Sequence, residues 1–251
     1  MHIIGSNVAW RSAVLDERIA NADEVVFEML LDAGSMAAVN KLTMEHGFLP
    51  DTQIITDLLS DDEDRRLKDA LEDIGLDFFI VARMQPWLAG VTIAAMAMTG
   101  ENQSFDSGVE TIVQAEVADD RERGLETAEE QIGFAMSGTP EQQIAGLMQA
   151  VDAVGETQAM FDGLSATWLA GDVEGMQQQI IDAMGSIEDP TYKLFVSDRN
   201  ARWTQTIAGM LGDNTDALII VGAAHVVGPV GLPTMLEERG FTVERVDAGA
   251  Q

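Results

Sequence analysis

The apolar runs that read as buried strands stand near the two ends of this chain, and the long stretch between them is patterned for helices. Residues 24–31, Glu-Val-Val-Phe-Glu-Met-Leu-Leu, are nearly all apolar, as a strand covered on both faces must be. Residues 217–221 form a second such run, and 241–246 read as a final strand. Ile3-Ile4, directly after Met1-His2, reads as the end of one more. Between them the punctuation is helical. Ser12 caps a helix running to about residue 22. Helices are predicted over about 34–46 and 52–74, from Pro86 to about 98, and within 105–122. Thr127 and Glu130 form a capping box, and Thr139-Pro140 repeats that logic with proline in the first turn. Helices then dominate to about 189. Ser197 caps a helix ending near Leu211 with Gly212 beyond, and 229–239 is closed by Gly240. The expected fold is α/β: one domain over 1–251, its central sheet built from strands near both termini and flanked by helices, with a large helical insertion over about 34–195.

With 251 residues and 46% of them hydrophobic, the chain can bury a substantial core. It has no cysteine, which excludes disulfides, thiolate zinc sites and thiol catalysis. Its 43 acidic residues against 14 Lys and Arg give a net charge of -29. Such a field repels phosphate backbones and anionic lipid, so nucleic acid is excluded as a partner. It also concentrates cations, and it suits salty surroundings in which self-repulsion is screened. No run of about 20 apolar residues is long enough to span a bilayer; the longest, near 87–98, reads as a buried helix. No signal peptide is visible. No phosphate-binding loop, Gly-x-Ser-x-Gly elbow or His-Glu-x-x-His helix occurs.

Three leads carry chemistry. His225 is one of 3 histidines and stands just past the strand 217–221, in Gly222-Ala223-Ala224-His225. Functional groups gather beyond the carboxyl ends of strands in α/β sheets, although a loop histidine without a role also fits. Glu28 interrupts the apolar run 24–31. A carboxylate buried there must be paired or metal-bound, unless the strand end is already exposed. Arg199, with Arg202 behind it, falls in the first turn of the helix predicted after Ser197. A cation there opposes the helix dipole, which points either to a solvent-facing side chain or to a task such as neutralising Glu28 or holding an oxyanion or a substrate carboxylate. His46 looks like a helix C-terminal residue, and the methionines over 84–98 look like core filler.

These residues resemble the TraB/GumN family, which includes the Tiki metalloproteases and carries two Gly-x-x-His motifs with one glutamate and one arginine. The second motif stands intact as Gly222-Ala223-Ala224-His225, followed by Val226-Val227-Gly228-Pro229 and by Arg239-Gly240-Phe241-Thr242-Val243. Glu28, in Val25-Val26-Phe27-Glu28, matches the family glutamate, and Arg199, in Asp198-Arg199-Asn200-Ala201-Arg202-Trp203, its arginine. Gln85-Pro86-Trp87-Leu88-Ala89 and Gly124-Leu125-Glu126-Thr127 are also similar to GumN sequences. The first motif departs from the pattern: Ala9-Trp10-Arg11-Ser12 puts His2 in register with the motif histidine, without the Gly and Ser/Thr. That register reads as a chain lacking part of its natural N-terminus, with most of the first strand and, if the missing piece carried a signal peptide, a periplasmic or exported location.

The resemblance implies a metal-dependent hydrolase, with peptidase activity one form it could take, acting on a peptide or small-molecule substrate. His2, Glu28 and His225 would hold one divalent ion, which that donor set leaves open among Zn, Mn, Co and Fe. Arg199 would stabilise the oxyanion or orient Glu28, and Glu28 would serve as ligand or as general base. The alternatives are a haem- or metal-binding protein without hydrolysis and an inactive homologue.

Overall fold

The computed structural model describes residues 1–99 and 103–246, which divide into two compact units. The first unit takes Met1–Leu30, Phe105–Glu126 and Gly163–Gln251. The second takes Leu31–Ser104 and Thr127–Asp162, nearly all of it within the stretch expected to be helical.

The first unit is built on a parallel sheet of β1 (Glu24–Phe27), β2 (Glu122–Gly124) and β3 (Ala217–Ile220), in the order β2-β1-β3. Val25 pairs with Glu122 on one side and Leu218 on the other, Phe27 with Gly124 and Ile220. β1 has a strand on each side, and its Val25, Val26 and Phe27 are almost completely inaccessible. Val25, Phe27, Leu218 and Ile220 pack with Ile19, Val109 and Val113, so helices Ala13–Asn21 and Val109–Gln114 cover one face. Ile219 and Val221 pack with Trp203, Ile207 and Leu232, so helices Asp198–Gly212 and Leu232–Glu238 cover the other. Each fully buried Val or Phe in such a layer contributes about 1.5–3 kcal/mol. The mixed α/β class with helices around a central sheet is therefore as expected.

Several details differ. β2 lies mid-chain, at the end of the helix predicted within 105–122; that stretch holds a short helix, Val109–Gln114, and a 3-10 turn, Asp119–Arg121, before the strand. Residues 241–246 form no strand, although β3 is an edge strand with one side unpaired in the sheet; Arg245 donates from Nη2 to the Gly171 carbonyl. The N-terminal strand is two residues, Ile4–Gly5, and lies outside the three-stranded sheet. Ser197 caps nothing. Its backbone is helical, because a short helix, Pro190–Tyr192, and a π-helical turn, Lys193–Ser197, run straight into Asp198–Gly212.

The second unit is helical. Ser60 and Glu63 cap Asp61–Asp73 reciprocally, and the boxes at Thr127 with Glu130 and Thr139 with Gln142 form as the sequence predicts. The Ser60 box breaks the predicted helix over 52–74 into a 3-10 turn, Ile55–Leu58, and the capped helix. Ile55, Leu67, Leu71, Val81, Ile93 and Leu147 fill its core. Gly90 lets helices Pro86–Met98 and Pro140–Ala153 approach, since a Cβ there would sit 3.2 Å from the Leu147 Cα. Among the described residues no helix is long and apolar enough to cross a membrane.

Candidate functional site

Parallel strands end on the same edge of a sheet, and that edge gathers the polar groups of the first unit. Glu28 follows β1 immediately. The Leu125 amide donates to the Phe27 carbonyl (2.9 Å) and the Glu126 amide to the Glu28 carbonyl (2.8 Å), which holds Glu126 beside Glu28 beyond β2. Gly222 and His225 follow β3.

Glu28 is buried and fully engaged. Its Oε1 accepts the Gly222 N–H (2.7 Å) and its Oε2 accepts Arg199 Nη2 (2.6 Å). Burial works to raise its pKa. The charges of His225, His2 and Arg199 and the Gly222 hydrogen bond outweigh burial and bring it down to about 2. Gly222 is glycine for a steric reason: a Cβ there would lie 2.9 Å from His2 Nε2 and 3.2 Å from Glu28 Oε1.

His225 ends a 3-10 turn, Ala223–His225, and is buried. Asn200 fixes it. The Asn200 amide nitrogen donates to the carbonyls of His225 (3.2 Å) and Val230 (2.7 Å), so its Oδ1 is the atom facing His225 Nδ1 at 2.7 Å. An amide oxygen only accepts, so Nδ1 carries the hydrogen and Nε2 presents a lone pair. Burial depresses the His225 pKa, as do the Arg199 and His2 charges; Glu28 opposes them, and the result is about 4. The ring is neutral at pH 7. It lies against Trp203, with ring centroids 4.4 Å apart.

His2 is tied at the same atom. Its Nδ1 lies 2.6 Å from Glu110 Oε1, and the Val109 amide donates to the Met1 carbonyl at 3.0 Å. Gly108 permits this approach, because a Cβ there would fall 2.5 Å from the His2 carbonyl oxygen. Burial pulls the His2 pKa down, but the Glu110 hydrogen bond and the Glu110 and Glu28 charges prevail and raise it. Half of its side chain, 51%, is still open to solvent. The two Nε2 atoms face one oxygen: His2 Nε2 is 3.6 Å and His225 Nε2 3.7 Å from Glu28 Oε1.

Arg199 supplies the positive charge of the cluster. Its Nε and Nη2 donate to Glu126 (2.8–3.1 Å), Nη2 also reaches Glu28, and Nη1 lies 3.4 Å from His225 Nε2. Trp203 stacks on the guanidinium, 4.6 Å from ring centroid to Cζ. Arg202, at the rim, donates to Glu126 Oε1 at 3.1 Å.

The structure thus brings His2, Glu28, Arg199 and His225 together, and places His46 in the second unit. Among the described residues no group of three or more His, Asp or Glu side chains is already disposed as a metal cage. The donor chemistry nevertheless fits a divalent ion: one carboxylate and two imidazole Nε2 atoms converge, and each imidazole is held at Nδ1 by an oxygen, as in carboxylate–histidine–metal arrangements.

Sequence reading missed Glu126, Asn200 and Glu110. Asn200 left a readable trace, since positions 200, 203, 204 and 207 share one helix face and are all buried. Arg199 was singled out by a dipole argument that fails, because the helix continues upstream and residue 199 is not in its first turn.

A parallel α/β unit with a buried Glu–Arg–Glu cluster and two anchored imidazoles at the carboxyl edge of its sheet defines a class. The particular family follows from comparison: the TraB/PrgY/gumN family model matches residues 1–245, and the chain belongs to that family. No curated protein and no solved structure gives a significant match.

Proposed function

We propose that the chain is a metal-dependent hydrolase, with peptide bonds the first substrates to try, and that His2, Glu28 and His225 hold its divalent ion. The observation that carries this reading is the twin anchoring of the imidazoles. Asn200 and Glu110 hold the two Nδ1 atoms, and both Nε2 atoms lie within 3.7 Å of Glu28 Oε1. A bound ion of the Zn, Mn, Co or Fe class acidifies a water and polarises a carbonyl oxygen.

The chain's own groups divide the remaining work. Glu28, with a pKa near 2, is a weak proton acceptor at neutral pH, which favours its role as a ligand over that of general base. His225 is neutral without competition from protons, and Asn200 keeps its tautomer. Arg199 steadies Glu28 and directs Nη1 toward the same space as His225 Nε2, where a guanidinium can stabilise developing oxyanion charge. Trp203 shields both from water on one side.

The test compares the full chain with His225→Ala and Glu28→Gln. Metal content is measured by mass spectrometry and turnover on peptide and ester substrates. About one ion per chain is expected in the wild type, with loss of metal and turnover in both variants. Unchanged metal and activity in both would end the proposal. A haem titration separates the non-hydrolytic alternative, because a Soret band lost in His225→Ala would favour haem binding instead.

A further inference from the structure

Glu126 has no place in the expected site, yet its side chain is 1% exposed and it takes the whole Nε–Nη2 edge of Arg199. Two carboxylates therefore share one buried guanidinium. The geometry of the sharing matters. Arg199 Nη1 and Glu28 Oε1 both lie near His225 Nε2, at 3.4 and 3.7 Å, while Nη2 already rests on Glu28 Oε2. Nη1 donates to the Phe195 carbonyl (3.3 Å), and a rotation of the guanidinium that moved Nη1 off that carbonyl and Nε off Glu126 would set Nη1 and Nη2 on the two oxygens of Glu28 as a fork. Paired, parallel N–H bonds to a carboxylate are among the strongest arrangements an arginine makes. That fork would take Oε1, the oxygen the two imidazoles face, out of use.

We propose that Glu126 is a positioning residue that competes with Glu28 for Arg199, and so keeps Glu28 Oε1 available to a cation. The consequence for metal binding rests on the reading of Glu28 as a ligand; the placement of Arg199 does not. The sequence supplies this competitor economically. Glu126 stands two residues past β2, and its amide is pinned to the Glu28 carbonyl, so both carboxylates leave the sheet edge side by side. Arg202 donates to Glu126 Oε1 from the rim and steadies it without being buried itself.

The test uses the full chain as wild type, Glu126→Ala, Arg199→Met and the double variant. Zn²⁺ or Mn²⁺ affinity is measured by calorimetry, and folding is checked by circular dichroism. Glu126→Ala should weaken the ion by at least about 10-fold, the usual scale for losing a group that orients a ligand. The double variant should bind as Arg199→Met does, because without the guanidinium nothing closes on Glu28. A merely structural role for Glu126 would give losses that add instead of cancelling. Added losses, or wild-type affinity in Glu126→Ala, would overturn the inference.

Crystal structures of metal-free wild type and Glu126→Ala give a second readout that needs no ion. Nη1 should close on Glu28 Oε1 in the variant, and an unmoved Arg199 would overturn the inference. If the wild type takes up no divalent ion, the metal reading fails alone and these structures still decide the role of Glu126. Should Glu126→Ala not fold, Glu126→Gln, which keeps the shape and removes the charge, takes its place in both measurements.

Discussion

Two charge clusters in this molecule use the same residue types with opposite consequences. In the first unit Glu28, Glu126 and Arg199 are withdrawn from solvent and joined by bonds of 2.6–3.1 Å. In the second unit Arg65, Arg66 and Lys68 of helix Asp61–Asp73 pair with Asp62, Asp64 and Asp69 of the same helix and with Asp152 of helix Pro140–Ala153, all of them at least partly in water. Water screens the second cluster, and long side chains lose entropy in forming it, so its pairs add little. Each partner in the first cluster prevents the others from being buried without compensation. Burial, not the count of ion pairs, therefore marks the place where this highly acidic chain has committed charge to a task.

The largest expected difference is between the two arginines. Arg199→Ala should lower stability to urea by about 3–5 kcal/mol, since it strands two buried carboxylates. Arg66→Ala should leave the urea midpoint unchanged within error. Equal effects would erase the contrast between the clusters.

The pH dependence of the metal-free chain comes next. His225 has a folded pKa near 4 against an ordinary 6.5, so between those values the unfolded chain binds a proton that the folded chain refuses. Stability is full above about 6.5 and falls as the pH drops to 4, by about 3 kcal/mol. Glu28, near 2 against 4.5, extends the loss below 4.5. His2, raised, works the other way, stabilising below its ordinary value and losing that contribution as the pH rises through its folded value. Urea midpoints across pH 4–7 should therefore slope upward, and His225→Gln should flatten them. A flat wild-type profile would show that His225 is not held neutral by burial.

Asn200→Ala should cost about 2 kcal/mol, because the His225 Nδ1–H and the His225 and Val230 carbonyls lose their partner in the interior. If the chain is the hydrolase proposed above, it should also lower turnover more than it lowers substrate affinity, since the imidazole loses its fixed tautomer. The smallest effect belongs to the second unit. Ser60→Ala removes one half of a capping box and should cost about 1 kcal/mol, read as a shift in thermal midpoint with the site intact. A larger loss than that of Asn200→Ala would reverse the ranking of the two units.

What the sequence disclosed follows the same division. β1 and β3 were legible because strands covered on both faces must be continuously apolar, although the apolar run 24–31 overshoots β1, which ends at Phe27 where Glu28 turns to the site. β2 was not, because Glu122-Arg123-Gly124 is a three-residue edge strand whose side chains carry no such demand. Glu28 was legible for the converse reason, a carboxylate inside an apolar run. Glu126 raised no alarm in the polar sequence ahead of Thr127; its burial is imposed by a strand the pattern did not reveal. The capping boxes at Thr127 and Thr139 were read correctly because they are local chemistry. The one at Ser60 was passed over within a long acidic run. The strand expected over 241–246 shows the limit of local pattern: a free edge exists at β3, yet an apolar, extended segment becomes a strand only if the chain brings it alongside that edge in register.

The π turn at Lys193–Ser197 has a consequence for how this molecule can change. It accommodates one residue more than an α turn does; inward-facing Tyr192 lies before it, Val196 within it, and Arg199, Asn200 and Trp203 beyond it. Excising a single residue there would restore ordinary pitch and swing the upstream segment by about 100°. Tyr192 would be carried out of the interior while Arg199 stayed where it is. The turn acts like the spare tooth of a gear: it lets the two halves of a long rod keep separate appointments, and it makes the spacing between them, more than the identity of any one residue in the turn, the quantity on which the site's geometry depends.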